Sequence, residues 1–378
     1  MQPNTLIVAD DLSGAADCAI AFRTRGEVVI GFGEIGIQTN TLAIDADTRR
    51  RKAGEAAEIV ASLFCAHRRL GTLFFKKIDS TLRGHIGVEV AAARDALADL
   101  DPLVVVCPAF PATGRTMIGG RLFVHGVPLE NTEFGAELSD GGDLTKQLKR
   151  AGLDVTHLDL GCLRDGKLPN SSVLLCDSET STDLRHLVPI VRRSGRTVLW
   201  VGSGGLARVL AGNASGDVDV IPKVTGQILF LIGSQNEISH IQARRLSNFA
   251  NITQLSLQSL LTEQAFVPDN AGDHVVMMER EAHRDSRALV QAFAKVGVEA
   301  AKKADAIFLT GGETARAVLE GLGVHALRLF GEIEPGLIVS SAEGGEIAGR
   351  TIITKAGAFG TPQALRRVQR VLRGRRQL

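Results

Sequence analysis

Five of the seven residues from Lys77 to Arg83 can do chemistry: two cations (Lys77, Arg83), one carboxylate (Asp79) and two hydroxyls (Ser80, Thr81). A carboxylate beside cations can orient a hydroxyl or accept its proton, and the cations can hold an anionic substrate. Before this turn, Thr72 to Lys76 reads as a buried strand; after it, from Ile86, the alanine-rich spacing predicts a helix. The turn therefore stands at the carboxyl end of a strand, where open α/β sheets bind ligands. The plainer alternative is a solvated loop in which Ser80 or Thr81 caps the helix.

Two other predicted strands of this half end in the same way. Thr5 to Ala9 stops at Asp10 and Asp11, with Ser13-Gly14 opening a helix from Ala15 to about Arg23. Thr41 to Ile44 runs into Asp45, Asp47, Thr48 and Arg49, followed by a helix from about Lys52 to Leu70. In a parallel sheet with right-handed crossovers, Asp10, Asp11, Asp47, Arg49, Lys77, Asp79, Ser80 and Arg83 converge. Arg49 or Lys77 then holds a substrate carboxylate while the aspartates orient hydroxyls or take a proton, which suits a small polyhydroxy acid. The long segment from Pro108 to Phe134 carries prolines and glycines at a spacing that forbids a continuous helix, and long ordered loops tend to be functional.

The C-terminal half offers different chemistry. Gly233-Ser234-Gln235-Asn236 follows the strand Ile228 to Ile232; Gly311-Gly312-Glu313-Thr314 follows Ala306 to Leu309; and Lys355 to Gly360 follows Thr351 to Thr354. Each is a glycine turn between a strand and a helix start, where bare N–H groups and the positive end of the helix dipole suit a phosphate. No Walker A sequence and no protein-kinase signature is present. Gly202 to Ala207 matches the dinucleotide pattern G-x-G-x-x-A, which raises a nicotinamide-dependent dehydrogenase as the competing reading. However, the following helix is short, and Asp217 and Asp219 fall in linker sequence, so close packing explains these glycines better. Zinc-hydrolase and serine-hydrolase spacings are missing.

These turns need a framework. A chain of 378 residues implies two domains, and the Asn213-Ala214-Ser215-Gly216-Asp217 linker divides it into residues 1–216 and 224–378. The predicted class is α/β: two domains, each a mainly parallel sheet flanked by helices, with the active site in the cleft between them. A formal charge of +1 provides no global field for nucleic acid or an anionic membrane, and the basic C-terminal helix has no interleaved aromatic residues. Five scattered cysteines without a CxxC pair fit reduced thiols, and no apolar run approaches ~18 residues. With no signal-peptide pattern at the N-terminus, the expectation is a cytoplasmic protein whose partners are small molecules, with room for a homodimer.

At these residues the sequence resembles the four-carbon acid sugar kinase family. The matching pieces are VADDLSGAAD (8–17), DADTR (45–49), KKIDSTLRGHIG (76–87), the segment from Cys107 to Phe134, GSGGLA (202–207), IGSQNEIS (232–239), TGGET (310–314) and TKAGAFG (354–360). They occur in the family's order and span nearly the whole chain. The resemblance implies ATP as donor and phosphorylation of the terminal hydroxyl of a four-carbon sugar acid, with the KIDSTLRG form nearest the D-threonate kinases and D-erythronate or 3-oxo-tetronate as alternatives. A non-catalytic sugar-acid sensor on the same scaffold is a third reading. Carried over by position, Asp10, Arg49 and Lys77, Ile78, Asp79 and Ser80 match substrate-binding positions, with Arg83 added from the charged cluster. Ser234, Gly311, Gly312, Glu313, Thr314 and Gly357 match nucleotide-binding ones. A Mg2+-bound nucleotide is expected on the glycine turns, with Asp79 as first choice for the base and Asp10 as second.

Overall fold

Runs of Val, Ile, Leu and Phe with no polar alternation form strands buried on both faces, as parallel sheets covered by helices require. The computed structural model describes residues 4–32, 38–69, 71–135, 138, 140–212, 221–246, 249–255, 272–279, 287–357 and 359–375. The chain divides into two compact units, residues 1–28 with 32–215 and residues 29–31 with 216–378. The Asn213–Asp217 linker lies outside the described residues.

The strands, in chain order, are β1 (Thr5–Ala9), β2 (Val28–Phe32), β3 (Thr41–Asp45), β4 (Leu73–Lys77), β5 (Leu103–Cys107), β6 (Arg115–Ile118), β7 (Arg121–Val124), β8 (Val127–Pro128), β9 (Val155–Leu158), β10 (Val173–Cys176), β11 (Val198–Gly202), β12 (Ile228–Ile232), β13 (Asn251–Leu255), β14 (His274–Met278), β15 (Ala306–Thr310), β16 (Ala326–Glu334), β17 (Leu337–Glu343) and β18 (Thr351–Lys355). In the first unit the order β3-β1-β4-β11-β5-β10-β9 is parallel throughout. Ala9 stands opposite both Asp45 and Lys77, so β1, β3 and β4 end level with one another. Phe64 of the helix Ala53–His67 packs on Phe74 of β4 with ring centroids 6.4 Å apart. Both rings are fully buried, each contributing roughly 1.5–3 kcal/mol to folding.

In the second unit β13-β14-β12-β15-β18 is parallel. β17 then pairs with β18, and β16 with β17, in antiparallel fashion; Val29–Gly31 of β2 adds to β16, also antiparallel. The sequence reading missed the β16–β17 hairpin, although residues 326–334 alternate between core and surface and Pro335-Gly336 marks the turn. It also missed that the Pro108–Phe134 segment is built on a small sheet, β6-β7-β8. There Gly119 (φ 61°) and Gly120 (φ 71°) make the two-residue turn with positive φ that closes such hairpins.

The first helix starts earlier than expected, and the helix after β4 starts at Ile86 as expected but with a different cap. The first helix runs from Leu12 to Ala19, capped by Asp11, whose side chain accepts from Gly14 N, and continues as a 3-10 helix over Ile20–Arg25. The helix after β4 covers Ile86–Ala96 with His85 at its cap. Ser80 and Thr81 cap nothing. Thr81 instead donates its hydroxyl proton to Asp79 Oδ2 at 2.6 Å, because Gly84 (φ 91°) and Leu82 (φ 61°) bend the chain away before the helix begins.

Candidate active site

The level ends of β1, β3 and β4 bring the charged residues of the first unit together. Arg49 donates from Nε to Asp10 Oδ2 at 2.7 Å and from Nη2 to Asp11 Oδ1 at 2.8 Å, with Asp79 Oδ1 at 3.4 Å from the same Nη2. Lys77 Nζ lies 3.5 Å from Asp10 Oδ1 and 3.7 Å from Asp11 Oδ1. Arg83 clasps Asp79 with two bonds, Nε to Oδ2 at 2.7 Å and Nη2 to Oδ1 at 3.1 Å. Three carboxylates thus face three cations. Asp47, grouped with them from the sequence, instead pairs with Arg51 at 3.1 Å.

Burial tends to keep carboxylates protonated, but here the cations win. Burial pushes Asp10 up, yet Arg49, Lys77 and Lys76 together bring it down to about 2. Asp79 is likewise held well below the usual carboxylate range by Arg49, Arg83 and Lys77, against burial. Burial would discharge Lys77, but Asp10 and Asp11 hold its pKa above the ordinary lysine value. All of these groups are therefore charged at neutral pH.

Ile78 is buried, and its N–H donates to Gly202 O at 2.9 Å, so the side chain and the amide are committed to the fold. Ser80 is half-buried beside Asp79 in sequence. Leu82 and Asp47 (φ 49°) occupy the left-handed region without being glycine, and such strained backbone clusters at functional sites. The sequence reading overlooked Arg115 on β6. Its Nε is buried without a hydrogen-bond partner among the described residues, while Nη1 donates to Thr113 O. Burial lowers its pKa and the nearby Asp79 charge raises it, which places a fourth cation within electrostatic reach of the cluster. Its approach to Asp79 depends on how that hairpin packs, which residue order alone does not disclose.

The second unit carries the glycine turns on three adjacent parallel strands, β12, β15 and β18, all at the carboxyl edge. Gly233 N donates to Thr310 O at 3.1 Å and Gly311 N to Lys355 O at 3.3 Å, stitching the turns side by side. A Cβ on Gly357 would collide with Ser234 Oγ, and one on Gly233 with Thr314 Oγ1. One on Gly311 would come within 3.3 Å of Ser234 N. Ser234, Gly311, Thr314 and Gly357 are therefore neighbours. The positive φ falls on Gly311 (93°), while Gly312 and Glu313 open the helix Gly312–Gly321. Thr310 Oγ1, buried at the end of β15, has no hydrogen-bond partner among the described residues. Ala358 lies outside the described residues.

The remaining glycine pattern is closed. A Cβ on Gly204 would strike the Asp17 carboxylate, one on Gly205 would come within 2.5 Å of Ala109 O, and one on Gly202 within 2.5 Å of Cys107 O. Asp17 already occupies the start of the helix Gly204–Ala211 and pairs with Arg208 at 3.1 Å. These glycines serve packing, as the short helix after them suggested. Among the described residues no cluster of three or more His, Cys, Asp or Glu side chains is arranged to hold a metal, and no helix is long and apolar enough to cross a membrane.

Comparison with known proteins matches this division. The family model for a sugar-binding N-terminal domain covers residues 5–210, and that for a nucleotide-binding C-terminal domain covers residues 229–365. The chain is 36% identical to a D-threonate kinase of Cupriavidus necator over 95% of its own length and 96% of the relative's. It is 25% identical to a D-erythronate kinase of Heliobacterium modesticaldum (96% and 95% covered) and 26% identical to a 3-oxo-tetronate kinase of Brucella melitensis (94% and 92%). A crystal structure of a Haemophilus influenzae DUF1537 protein shares the fold with a TM-score of 0.74 at 18% identity, over 97% of this chain and all of that one. The enzyme is a kinase, and the chain belongs to the four-carbon acid sugar kinase family.

Proposed function

We propose that the enzyme transfers the γ-phosphoryl group of ATP to the terminal O4 hydroxyl of D-threonate. The observation that carries the choice of acid is the 36% identity to a D-threonate kinase along nearly the whole chain, against 25–28% for the erythronate and 3-oxo-tetronate relatives. The first unit binds the acid at the Asp10, Arg49, Lys77, Asp79 and Ser80 cluster, and the second binds the nucleotide at Ser234, Gly311 to Thr314 and Gly357. O4 attacks the γ-phosphorus, the bond to the β–γ bridging oxygen breaks, ADP leaves, and the O4 proton passes to a carboxylate or water.

Geometry favours Asp10 over Asp79 as the group that orients O4. Asp79 receives three bonds from Arg83, one of them from its backbone N–H, and one from Thr81, whereas among the described residues Asp10 Oδ1 has only the lysine contact at 3.5 Å. A carboxylate with its pKa near 2 is a weak base, which matters little when phosphoryl transfer is loose and depends on positioning and charge neutralisation. Arg49 is engaged by three aspartates, so its main task is to hold them in place; Arg115, with its unpartnered Nε, is the better placed cation for the substrate carboxylate. Mg2+ would neutralise the phosphate charge. Without a dedicated carboxylate cage among the described residues it would be held chiefly through the nucleotide, as this ion often is.

The test is ATP consumption with D-threonate, L-threonate, D-erythronate and the 3-oxo-tetronates, with mass spectrometry locating one added phosphate on the terminal carbon. Preference for another tetronate would move the substrate assignment, and turnover with none alongside tight binding of one would indicate a sensor. Reduction of a nicotinamide cofactor without ATP would revive the dehydrogenase.

A further inference from the structure

Lys355 ends β18 at the nucleotide edge and is only 2% exposed. No carboxylate lies within ion-pair distance of it among the described residues, unlike Lys76, which pairs with Glu89 at 2.7 Å, and Lys77 with its two aspartates. Its Nζ instead donates to Ala356 O at 3.0 Å, Gly357 O at 2.9 Å and Phe359 O at 3.1 Å, and lies 3.2 Å from Ser239 Oγ. Ser239 Oγ also donates to Gly357 O, at 2.8 Å. A buried cation compensated only by carbonyl dipoles is costly, and an apolar side chain could fill the volume without that penalty. The carbonyls that it gathers belong to the turn whose Gly357 abuts Ser234.

We propose that Lys355 is a positioning residue for the nucleotide: its ammonium draws the carbonyls of residues 356, 357 and 359 inward, setting the Gly357 turn against Ser234, and the polyphosphate is the counter-ion it lacks in the free protein. This rests on the nucleotide reading of the glycine turns. It also makes binding take up a proton. Burial lowers the Lys355 pKa to about 7, so above that pH the free protein holds it largely neutral, and an arriving anion restores the charge. The groups around it do not supply that anion. Strand neighbours at its level are Thr310 and Leu337; the adjacent helix Glu237–Leu246 presents Ser239 and His240 and begins with exposed Glu237; Glu313 opens the helix after β15; and Glu334, beside Gly360, is paired with Arg367.

The experiment is calorimetric titration of the full chain with MgATP at pH 8 in two buffers of different ionisation enthalpy, repeated at pH 6. The wild type should take up on the order of one proton per nucleotide at pH 8 and distinctly less at pH 6, where Lys355 is already charged. Lys355→Met should abolish that uptake and weaken ATP roughly tenfold while leaving threonate binding unchanged; Lys355→Arg, charged at every pH, should also show no uptake. If Lys355→Met does not fold, the wild-type contrast between pH 8 and pH 6 decides the matter alone. ATP binding with equal uptake in wild type and Lys355→Met, or with no uptake at pH 8 in the wild type, overturns the inference about Lys355. A wild type that binds no ATP at all overturns the nucleotide reading and takes this inference with it.

Discussion

At the ends of β1, β3 and β4, three carboxylates and three cations meet as side chains, each already held by another; at the ends of β12, β15 and β18, the turns present backbone, hydroxyls and one buried lysine. The first arrangement suits a small acid with several hydroxyls, because each polar atom of such a ligand needs its own directed partner. The second suits a polyphosphate, which glycine amides and helix starts can hold without any dedicated cation in contact. A third glycine stretch, Gly202 to Gly205, shows what separates a site from a packing device: there Asp17, Ala109 O and Cys107 O fill the room that a ligand would need. The two working regions should therefore fail differently, one when charge is changed and the other when volume is added.

The largest effect is expected at Asp10. Asp10→Asn keeps the shape but removes the charge proposed to orient O4, and should lower kcat about 10²- to 10⁴-fold while ATP affinity stays near wild type. Equal damage to Asp79→Asn and Asp10→Asn would remove the preference between them. Next comes Arg49→Lys. Because Arg49 binds three aspartates, kcat/KM should fall about 10- to 100-fold equally for the acid and for an uncharged tetritol. A loss confined to the acid would make Arg49 the carboxylate clamp and displace Arg115 from that role.

On the other side of the comparison, Gly311→Val must carry a branched side chain at φ 93° and within 3.3 Å of Ser234 N at its Cβ. ATP Kd should rise at least ~10-fold, about 1.4 kcal/mol, while calorimetry shows threonate binding unaffected. Unchanged ATP affinity would reduce this turn to a tight connection.

Stability should respond as well, and here the regions differ in the pH at which they do so. Asp10 falls from 3.8 to about 2 on folding, so it contributes stability that is complete above pH ~4 and lost as pH falls toward 2, of order 2 kcal/mol. Lys355 is lowered from 10.5 to about 7, so the unfolded chain binds more protons between those values and stability rises with pH across that window. Denaturant titrations of Asp10→Asn and Lys355→Met should each flatten only one of these limbs. Loss of both limbs in either variant would mean that the assignments are coupled.

Much of both sites was legible because the governing rule is local: an apolar run that stops at a polar turn before a helix start marks a strand end in an α/β sheet, and this located Asp10, Arg49, Asp79, Ser234, Gly311 and Gly357. The short helix after Gly202 to Ala207 likewise disclosed a packing role. The β16–β17 and β6–β7 hairpins were also written in the chain, in alternation around Pro335-Gly336 and in Gly119-Gly120, and were passed over beside longer helical patterns.

What residue order leaves open is who meets whom. Arg49 and Asp10 stand 39 positions apart and Lys77 and Asp10 stand 67 apart, so their pairing depends on which strands are neighbours and how level they end. That Arg49 is taken up by aspartates, that Arg115 comes within reach of Asp79, that Asp17 closes one helix start and that Lys355 is buried without a carboxylate partner among the described residues all follow from packing between distant segments. Strand periodicity and turn composition specify the direction and ends of each element; the charge state and availability of a side chain are set by the desolvation and Coulomb fields of whatever the fold places beside it.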